Sequence, residues 1–322
     1  MKFAIIGTGM IAKVMAKTVG QMKNMECYAV ASRDIKKAKE FASSYSFQKA
    51  YGSYEEMVKD KEVELVYIAT PHSEHYNHAK LCIANKKACL VEKPFMVNAL
   101  QAEEIIQLAE QEGVFISEAM WTRFMPSRSM INEIISCGQI GEVTSVAANL
   151  GYRNCMVPRM SDPVLAGGAL LDLGVYPLNF ASMVLGNQIK KTISHCIKTK
   201  EGVDAQNTMI LEYENGTVAT LRSTMLSDTD QSGFVYGTKG YLLAKNINNV
   251  SEIKVYGLNR ELRNTYQVPL QITGYEYEVE AARRAALQKK KECDEMSHEE
   301  TMILMRLMDQ FREEWGVKYP FE

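Results

Sequence analysis

The sequence predicts an α/β protein: a Rossmann-type, doubly wound parallel sheet followed by an α+β domain with a large, mainly antiparallel open sheet. In the first half of the chain, apolar strands alternate with amphipathic helices, and a glycine-spaced turn follows the first strand. This alternation is typical of a parallel sheet covered on both faces. In the second half, several strand-like runs follow one another without intervening helices, which indicates antiparallel pairing.

Length and composition set the limits for function. With 322 residues the chain favours two domains, which we place at 1–122 and 123–322. A hydrophobic fraction of 46% and a net charge of -2 are typical of a globular enzyme and give no basic surface for nucleic acid or an anionic membrane. No apolar run approaches the roughly 20 residues that span a bilayer, and the chain opens on a core strand, so we expect a cytoplasmic protein.

The seven cysteines are scattered along the chain. Their number is odd, and no two have the spacing of a zinc-binding or redox pair. We therefore expect reduced thiols that are mostly buried.

The first strand, Lys2–Ile6, runs into a glycine-spaced turn at residues 7–12. The first glycine of this turn allows a tight bend, the second lets the backbone approach a pyrophosphate, and the small alanine lets the helix pack against the strand. The amides at the helix start present the positive end of the helix dipole to an anion. The turn predicts dinucleotide binding, although an ordinary glycine-rich turn has the same pattern. The predicted contacts are Gly7, Thr8, Gly9, Met10, Ile11 and Ala12.

The end of the second predicted strand, 26–31, indicates which dinucleotide binds. NAD-specific versions of this fold carry a carboxylate here that accepts hydrogen bonds from the ribose, whereas this chain has Ser32 and Arg33. A hydroxyl and a guanidinium form charge-assisted hydrogen bonds to a 2′-phosphate, and Lys37 adds a second positive charge. We therefore predict that NADP(H) is preferred over NAD(H). Asp34 leaves two alternatives open: it reaches the ribose, or it caps the next helix.

A nearly continuous apolar strand at 63–70 ends in Thr70, Pro71 and His72. Parallel strands deliver ligand-binding groups at their carboxyl ends, so these residues should line the cofactor crevice. His72, His75 and His78 recur at every third position, but no carboxylate or cysteine completes a metal shell, and we predict no metal. We interpret them as a loop histidine near the nicotinamide and two helix histidines, at least one of which packs in the interior.

The next predicted strand, 88–91, is followed by Glu92, Lys93 and Pro94. A lysine at the carboxyl end of a parallel strand is well placed to reach into the crevice. By position alone, a surface lysine on a loop is an equally good interpretation.

Taken together, these motifs resemble the glucose-fructose oxidoreductase/inositol dehydrogenase (Gfo/Idh/MocA) family. The resemblance rests on residues 7–12, on 69–71 with His75 four residues later, and on 92–94, all in the family's order and spacing. It implies that Glu92, Pro94 and His75 also lie at the cofactor. Trp121 and Arg123 border the nicotinamide or substrate, or alternatively form an interdomain packing pair.

Residues 120–124 and 167–176 extend the resemblance and are most similar to the dimeric dihydrodiol dehydrogenase and sugar 1-dehydrogenase branch. The resemblance implies that Lys93 and Tyr176 are the catalytic pair, with Tyr176 as general acid/base. Inositol dehydrogenase-like members have a histidine where this chain has Tyr176. Asp172, on the same predicted helical face as Tyr176, is therefore an orienting or substrate-binding group.

In the second half, strands are predicted at 190–199, 206–213, 217–225, 233–236, 241–244 and 253–256. Asn215 and Gly216 between two of these form a hairpin turn, residues 151–168 form a loop beside the active site, and helices close the chain near 275–290 and 297–315. The resemblance implies that the open sheet face binds a second subunit, so we predict a homodimer or higher homo-oligomer.

The predicted function is hydride transfer between a nicotinamide and a carbinol or carbonyl carbon of a polyol, sugar, sugar derivative or cyclic diol. The alternatives are an NAD-dependent inositol or amino-sugar dehydrogenase and a non-catalytic cofactor- or sugar-sensing protein. Retention of both Lys93 and Tyr176 favours an enzyme over a sensor.

Overall fold

The computed structural model describes residues 1–322, which form two compact units. The first contains Met1–Phe124 and Gln271–Met305, and the second contains Met125–Leu270 and Arg306–Glu322. The predicted division at residue 122 assigned 271–305 to the second domain, whereas this segment packs with the first. Local periodicity identifies helices in this segment but not the sheet against which they pack.

The first unit is built on six parallel strands: β1 (Lys2–Ile6), β2 (Glu26–Ala31), β3 (Lys49–Tyr51), β4 (Leu65–Ile68), β5 (Ala88–Glu92) and β6 (Ile116–Ala119). Their spatial order is β3-β2-β1-β4-β5-β6, and every neighbouring pair is parallel. The strand order reverses between β1 and β4, which is where ligands bind in open α/β sheets. All four side chains of β4 are buried, as expected for a sheet covered on both faces.

Five helices connect these strands: α1 (Met10–Val19), α2 (Ile35–Tyr45), α3 (Tyr54–Lys59), α4 (His75–Ala84) and α5 (Ala99–Glu112). Short 3-10 turns lie at His72–Glu74 and Trp121–Arg123. The carboxylate of Asp34 accepts a hydrogen bond from Lys36 N at 2.9 Å and so caps α2. Of the two predicted roles of Asp34, contact with the ribose and helix capping, the structure shows the cap.

The second unit is built on eight strands: β7 (Val143–Gly151), β8 (Ile189–Lys198), β9 (Asp204–Tyr213), β10 (Val218–Thr224), β11 (Gly233–Gly237), β12 (Gly240–Lys245), β13 (Glu252–Gly257) and β14 (Leu262–Gln267). Their order is β14-β13-β12-β11-β7-β10-β9-β8. Only β7 and β10 pair in parallel; the other neighbours are antiparallel. The predicted fold class is confirmed for both sheets. The predicted hairpin turn at Asn215 and Gly216 joins β9 to β10.

Three helices precede or follow β7 in this unit: α6 (Pro126–Ser136), α7 (Pro158–Ser161) and α8 (Val175–Leu185). Helix α8 is preceded by a π-helical turn at Leu170–Gly174. The prediction of one ordinary α-helix through Asp172 and Tyr176 was therefore wrong, because Asp172 lies in the π turn and Tyr176 in the helix that follows. A π turn closes i to i+5 hydrogen bonds, so two residues four apart are separated by less than a full turn.

The stretch Pro163–Leu185 is the one helical segment long and apolar enough to cross a membrane, with a mean hydropathy of 1.4, and 89% of its apolar window is buried inside the protein. Counting uninterrupted apolar residues did not detect it. The core helix of a globular unit has the same composition, because all its faces contact other apolar groups.

Two helices close the chain. Helix α9 (Glu276–Leu287) belongs to the first unit, where it packs against α1 and β5. Helix α10 (His298–Trp315) begins in the first unit and ends in the second. The hydroxyl of Ser297 accepts a hydrogen bond from Glu300 N at 3.2 Å and so caps the start of α10, close to the predicted helix start at 297.

Candidate active site

The glycine turn follows β1 at the switch point of the parallel sheet. Gly7 has a φ of +105°, and a Cβ added there would lie 2.9 Å from the backbone oxygen of Ala69. Glycine is therefore required both by the left-handed backbone and by the close approach of the chain after β4. Gly7 N donates a hydrogen bond to Ala31 O at 3.0 Å, which ties the turn to the end of β2.

The start of α1 is suited to bind an anion. No side chain caps this helix at Gly9, and a Cβ added to Gly9 would have nothing within 4 Å. The first amides of a helix have no intrahelical acceptor, and here they adjoin open space. Met10 is exposed, Thr8 and Ile11 are half-buried, and Ala12 is fully buried against the sheet. These residues fit the pyrophosphate of a dinucleotide, which was the role predicted for the turn.

Beyond β2, the chain presents a cation to solvent. Arg33 is exposed and Ser32 is buried, with the Ser32 hydroxyl accepting a hydrogen bond from Asp34 N at 3.3 Å. Lys37 is exposed in the first turns of α2. Oδ1 of Asp34 accepts the capping hydrogen bond from Lys36 N, so Arg33 and Lys37 are the exposed cations beside this helix start.

Arg33 borders an open depression of about 480 Å³ whose other walls come from α3 and α4 and include Tyr54 and His78. Arg33 lies beside Tyr54, and the rings of Tyr54 and His78 meet edge to face with centroids 4.6 Å apart. Burial lowers the pKa of His78 to about 4, so this histidine is neutral near pH 7. The depression therefore combines two aromatic rings and the Arg33 guanidinium with the carboxylates of Glu55 and Glu74.

The segment after β4 carries the predicted crevice residues. Pro71 is exposed, while Thr70 and His72 are half-buried. The Thr70 hydroxyl is 3.0 Å from Nδ1 of His78, which anchors the segment to α4. His72 and His75 have ring centroids 5.8 Å apart.

His75 supports the site from the interior and does not face it. Its side chain is fully buried, and its Nε2 lies 3.0 Å from Thr70 O. Its Nδ1 lies 3.0 Å from Pro94 O, and burial lowers its pKa to about 4. The predicted cofactor contact of His75 is therefore corrected: the ring joins the segment after β4 to the segment after β5, which holds Lys93.

Lys93 lies directly after β5 with a half-buried side chain, as the sequence predicts. The carboxylate of Glu92 accepts a hydrogen bond from Lys93 N at 3.1 Å and another from the hydroxyl of Tyr67. Pro94 is buried and follows a cis peptide bond. Both sides of the lysine are therefore fixed to the core of the first unit.

A second buried carboxyl, Glu278 of α9, lies behind this segment. It is fully buried, and neither of its carboxyl oxygens has a hydrogen-bond partner. Burial, and then the neighbouring Glu92, raises the pKa of Glu278 well above its usual range. Burial and the neighbouring carboxyl group therefore both favour the neutral form of Glu278. The sequence prediction missed it because a glutamate on an amphipathic helix has the pattern of a surface residue.

Trp121 and Arg123 are both buried in the first unit. The Trp121 ring stacks on Tyr275 with centroids 4.0 Å apart, and Arg123 forms an ion pair of 2.8 Å with Glu300. Nearby Glu118 accepts hydrogen bonds from Phe95 N and the Thr301 hydroxyl, both at 3.0 Å. Burial raises the pKa of Glu118 to about 7. These contacts support the interpretation of Trp121 and Arg123 as packing residues. Their partners, Tyr275 and Glu300, belong to the same unit.

In the second unit, Asp172 lies in the π turn and Tyr176 near the start of α8. Both side chains are nearly buried, with 5% of Asp172 and 6% of Tyr176 exposed. Arg159, in the predicted loop at 151–168, forms an ion pair of 3.0 Å with Asp172. The sequence prediction did not single out Arg159. The signal that could have found it is its position in a segment with prolines at 158 and 163, before Gly167 and Gly168.

The parallel sheet, the glycine turn at its switch point and the uncapped helix behind that turn define a dinucleotide-binding protein of the Rossmann type. Residues 1–120 match the family described as "Oxidoreductase family, NAD-binding Rossmann fold", and residues 129–243 match the "GFO/IDH/MocA C-terminal domain". The chain belongs to this Gfo/Idh/MocA family of NAD(P)-binding oxidoreductases, which confirms the predicted resemblance.

The chain is similar over its whole length to dehydrogenases of vertebrates. It is 33% identical to trans-1,2-dihydrobenzene-1,2-diol dehydrogenase of Mus musculus, with 99% of this chain and 98% of the relative covered. The enzyme of the same name from Homo sapiens is also 33% identical over the same shares. These relatives correspond to the branch that the second-half motifs indicate.

Solved structures share the fold at lower identity. The 3-ketoreductase KijD10 from Actinomadura kijaniata, in complex with NADP and TDP-benzene, superposes with a TM-score of 0.87 at 21% identity, covering 97% of each chain. A levoglucosan dehydrogenase in complex with NADH gives a TM-score of 0.87 at 16% identity, covering 98% of this chain and 97% of the other.

Proposed function

We propose that the protein transfers a hydride between a nicotinamide cofactor and the carbinol or carbonyl carbon of a sugar, a sugar derivative or a cyclic diol. The observation that carries the proposal is a pair of nearly buried polar side chains, Asp172 in the π turn and Tyr176 at the start of α8 directly after it. π turns of this kind are frequent at functional sites. The full-length similarity to trans-1,2-dihydrobenzene-1,2-diol dehydrogenases supports this substrate class.

When bound, the nicotinamide accepts or donates the hydride, and the protein must handle the accompanying proton. We assign Tyr176 as the general acid/base: its phenolate takes the hydroxyl proton when a carbinol is oxidised, and its phenol returns that proton when a carbonyl is reduced. Lys93 assists, because a nearby ammonium favours the phenolate and donates a hydrogen bond to the substrate oxygen. The backbone on both sides of Lys93 is fixed, which holds the origin of its side chain in place.

Asp172 has a different role in this proposal. Its carboxylate is paired with Arg159 at 3.0 Å, and an adjacent guanidinium favours the ionised, proton-free form. A carboxylate held in this way accepts hydrogen bonds from substrate hydroxyls and orients them. Arg159 is half-exposed and completes this polar patch.

The first test replaces the proposed acid/base. We expect Tyr176→Phe to reduce kcat about 10²–10⁴-fold with little change in cofactor binding, since only the proton transfer is lost. Tyr213→Phe is the matched control, because Tyr213 is an equally buried tyrosine on β9. Near-normal turnover by Tyr176→Phe would falsify the assignment.

The second test identifies the substrate class. Aldoses, anhydro-sugars, inositols and aromatic dihydrodiols are each assayed with both cofactors by absorbance at the nicotinamide band. Turnover of sugars or dihydrodiols supports the proposal. If only inositols are turned over, and only with NAD, the proposed substrate class is wrong and the protein is an inositol dehydrogenase.

We also propose that NADP(H) is the preferred cofactor. Support comes from the exposed guanidinium of Arg33 beside the depression that Tyr54 and His78 line, and from the capping hydrogen bond that Asp34 accepts. A charge-assisted hydrogen bond contributes about 1.5–3 kcal/mol, so Arg33→Ala should raise KM for NADP roughly tenfold to hundredfold and leave KM for NAD unchanged. Lys36→Ala, an exposed neighbour, is the control. A wild-type preference for NAD contradicts this proposal.

The oligomeric state is a further proposal. Phe234, Tyr236, Tyr241 and Tyr256 form a continuous half-exposed row across β11, β12 and β13, with neighbouring rings 4.8–5.9 Å apart. Such a row is typical of an interface, and we propose that it binds a second copy of the chain. Light scattering should give a dimer or larger mass for the wild type and a lower mass for Tyr236→Glu. Tyr76→Glu is the control, and a monomeric wild type contradicts the proposal.

A further inference from the structure

The double glycine that precedes the π turn is packed tightly against the protein's own groups. A Cβ added to Gly167 would lie 2.7 Å from Met160 O, and a Cβ added to Gly168 would lie 2.4 Å from Oδ1 of Asp204. Gly168 also has a φ of +132°, which side chains rarely adopt. The backbone at 167–168 is therefore seated directly on the carboxyl group of Asp204.

Three buried polar side chains of the second unit hold the same short segment. Leu170 N donates a hydrogen bond of 2.7 Å to Oδ2 of Asp204, and Nδ2 of Asn207 donates one of 2.8 Å to the same oxygen. The hydroxyl of Ser223 donates to Oδ1 of Asn207 at 2.8 Å and approaches Ala169 O at 3.5 Å. Asp204, Asn207 and Ser223 are all almost completely buried, so water does not replace these bonds.

The end of the chain holds the segment from another side. The hydroxyl of Tyr319 donates a hydrogen bond of 2.9 Å to Gly167 O. The Tyr319 ring is buried beneath the guanidinium of Arg312, 4.7 Å from the ring centre. Arg312 in turn donates to both carboxylate oxygens of Glu322, at 2.8 and 2.9 Å. The C-terminal residues therefore pack against the double glycine at Gly167 and hold this backbone in place.

The charged and titratable groups that face Asp204 are Arg312 and Tyr319 from the C-terminal region and Cys196 from β8. Burial raises the pKa of Asp204 to about 7, and the bonds from Asn207 and Leu170 N oppose this rise. Oδ1 of Asp204 has no hydrogen-bond partner.

We propose that Asp204 and its partners Asn207, Ser223 and Tyr319 are positioning residues, which fix the backbone at 167–170 and thereby aim Asp172 and Tyr176. This inference rests on the function proposed above. A network that only stabilised the core would have no reason to converge on one segment, whereas Asp204 and Tyr319 bond the backbone of Leu170 and Gly167. Ser223 supports the same segment through Asn207, which donates to Asp204. Leu170 is the first residue of the π turn, and Asp172 and Tyr176 follow two and six residues later.

Two matched pairs of variants test the proposal. Ser223→Ala removes the hydroxyl next to the segment, whereas Ser182→Ala removes a buried hydroxyl from the far end of α8, where it bonds Asn187. Tyr319→Phe removes the bond to the double glycine, whereas Tyr266→Phe removes a hydroxyl that bonds Gln139 elsewhere in the unit. Each variant is assayed for kcat, for KM and for cofactor binding.

We expect Ser223→Ala and Tyr319→Phe to lower kcat about tenfold to hundredfold, the cost of a misplaced reacting group, without weakening cofactor binding. Hydrogen exchange should show reduced protection of the Leu170 amide in both. Ser182→Ala and Tyr266→Phe should match the wild type in both measurements. Equal kcat in test and control variants overturns the proposal, even if the Leu170 amide loses protection.

The hydrogen-exchange measurement also separates this inference from the proposed function. If the wild-type protein transfers hydride to none of the substrates, the proposed function fails, and the Leu170 amide alone decides whether Asp204 holds the segment. Asp204→Asn preserves the side-chain shape and serves as the conservative variant. Measured at pH 8, above the pKa of about 7 of Asp204, its Leu170 amide should lose protection, because a charge-assisted hydrogen bond becomes a neutral one; unchanged protection overturns the inference.

Discussion

The turn at Gly7 and Gly9 and the turn at Gly167 and Gly168 both use glycine to bring the backbone close to another group at the start of a helix. They differ in what lies beside the helix amides. Around Gly9 there is open space and no capping side chain. Beside Gly168 the carboxyl group of Asp204 fills that space and accepts the hydrogen bond of Leu170 N.

This difference shows how similar sequence elements acquire different tasks. Amides at a helix start attract negative charge. In the first unit the protein supplies no anion, so the amides remain available to a phosphate. In the second unit the protein supplies its own carboxyl group, and the turn serves to hold the residues that follow it. A glycine-rich turn before a helix therefore indicates a binding site only when the chain offers no internal acceptor.

The largest expected difference between the two turns is in stability. Gly168→Ala should reduce the free energy of unfolding by about 3 kcal/mol or more, because the new methyl group meets the Asp204 carboxyl in a backbone conformation that alanine rarely adopts. Gly9→Ala should leave it nearly unchanged, since its backbone is extended and its surroundings are open. Urea unfolding of both variants measures this difference. Equal stability of the two variants would show that the turns are equivalent.

The next expected difference is in cofactor binding. Gly9→Ala should weaken NADPH binding roughly tenfold to hundredfold, because a methyl group would separate the backbone from the pyrophosphate. Lys13→Ala, an exposed position on α1, is the control. Quenching or enhancement of nicotinamide fluorescence gives both dissociation constants. Unaltered binding by Gly9→Ala would contradict the assignment of the open turn to the phosphates.

The third expected difference concerns pH. Because burial raises the pKa of Asp204 from 3.8 to about 7, the folded state binds a proton that the unfolded state has lost between these values. The wild type should therefore lose stability as pH rises from about 4 to 7, by up to about 1.4 kcal/mol per pH unit from this group.

Asp204→Asn lacks this contribution, so its stability relative to the wild type should rise between pH 5 and pH 7. Urea unfolding at the two pH values measures it. The neutral, buried His75 and His78, whose pKa values are lowered to about 4, have the opposite slope, but they cancel in the comparison of the two proteins. A pH-independent difference would mean that Asp204 does not titrate in this range.

The elements that the sequence predicted well are those whose own residues carry the signal. The buried β4 and the part of β1 after Lys2 are apolar, and the hairpin at Asn215 and Gly216 has the residues that its turn requires. β14 (Leu262–Gln267) was missed because it lies at the edge of its sheet with mostly exposed side chains, so it lacks the alternation of a half-buried strand. The short β3 (Lys49–Tyr51) gave too few residues for a pattern.

The parts of the site that were missed depend on the fold. Asp204 and Glu278 are acidic residues, and buried acids cannot be distinguished from surface acids in a single sequence because their partners come from distant segments. The spacing of Asp172 and Tyr176 is the same in an α-helix and in a π turn, so the sequence predicted the residues but not their geometry. For Lys93, by contrast, the place after a parallel strand left a crevice lysine and a surface lysine equally open, and the family resemblance decided between them.

The chain passes from one unit to the other after Phe124, after Leu270 and after Met305, so neither unit is continuous in sequence. A fragment that ended at residue 122 would lose the Tyr275 ring that stacks on Trp121 and the helix that carries Glu278. The two units are therefore not interchangeable modules. Exchange of the dinucleotide-binding unit between members of this family requires residues 271–305 to be transplanted together with the amino-terminal segment.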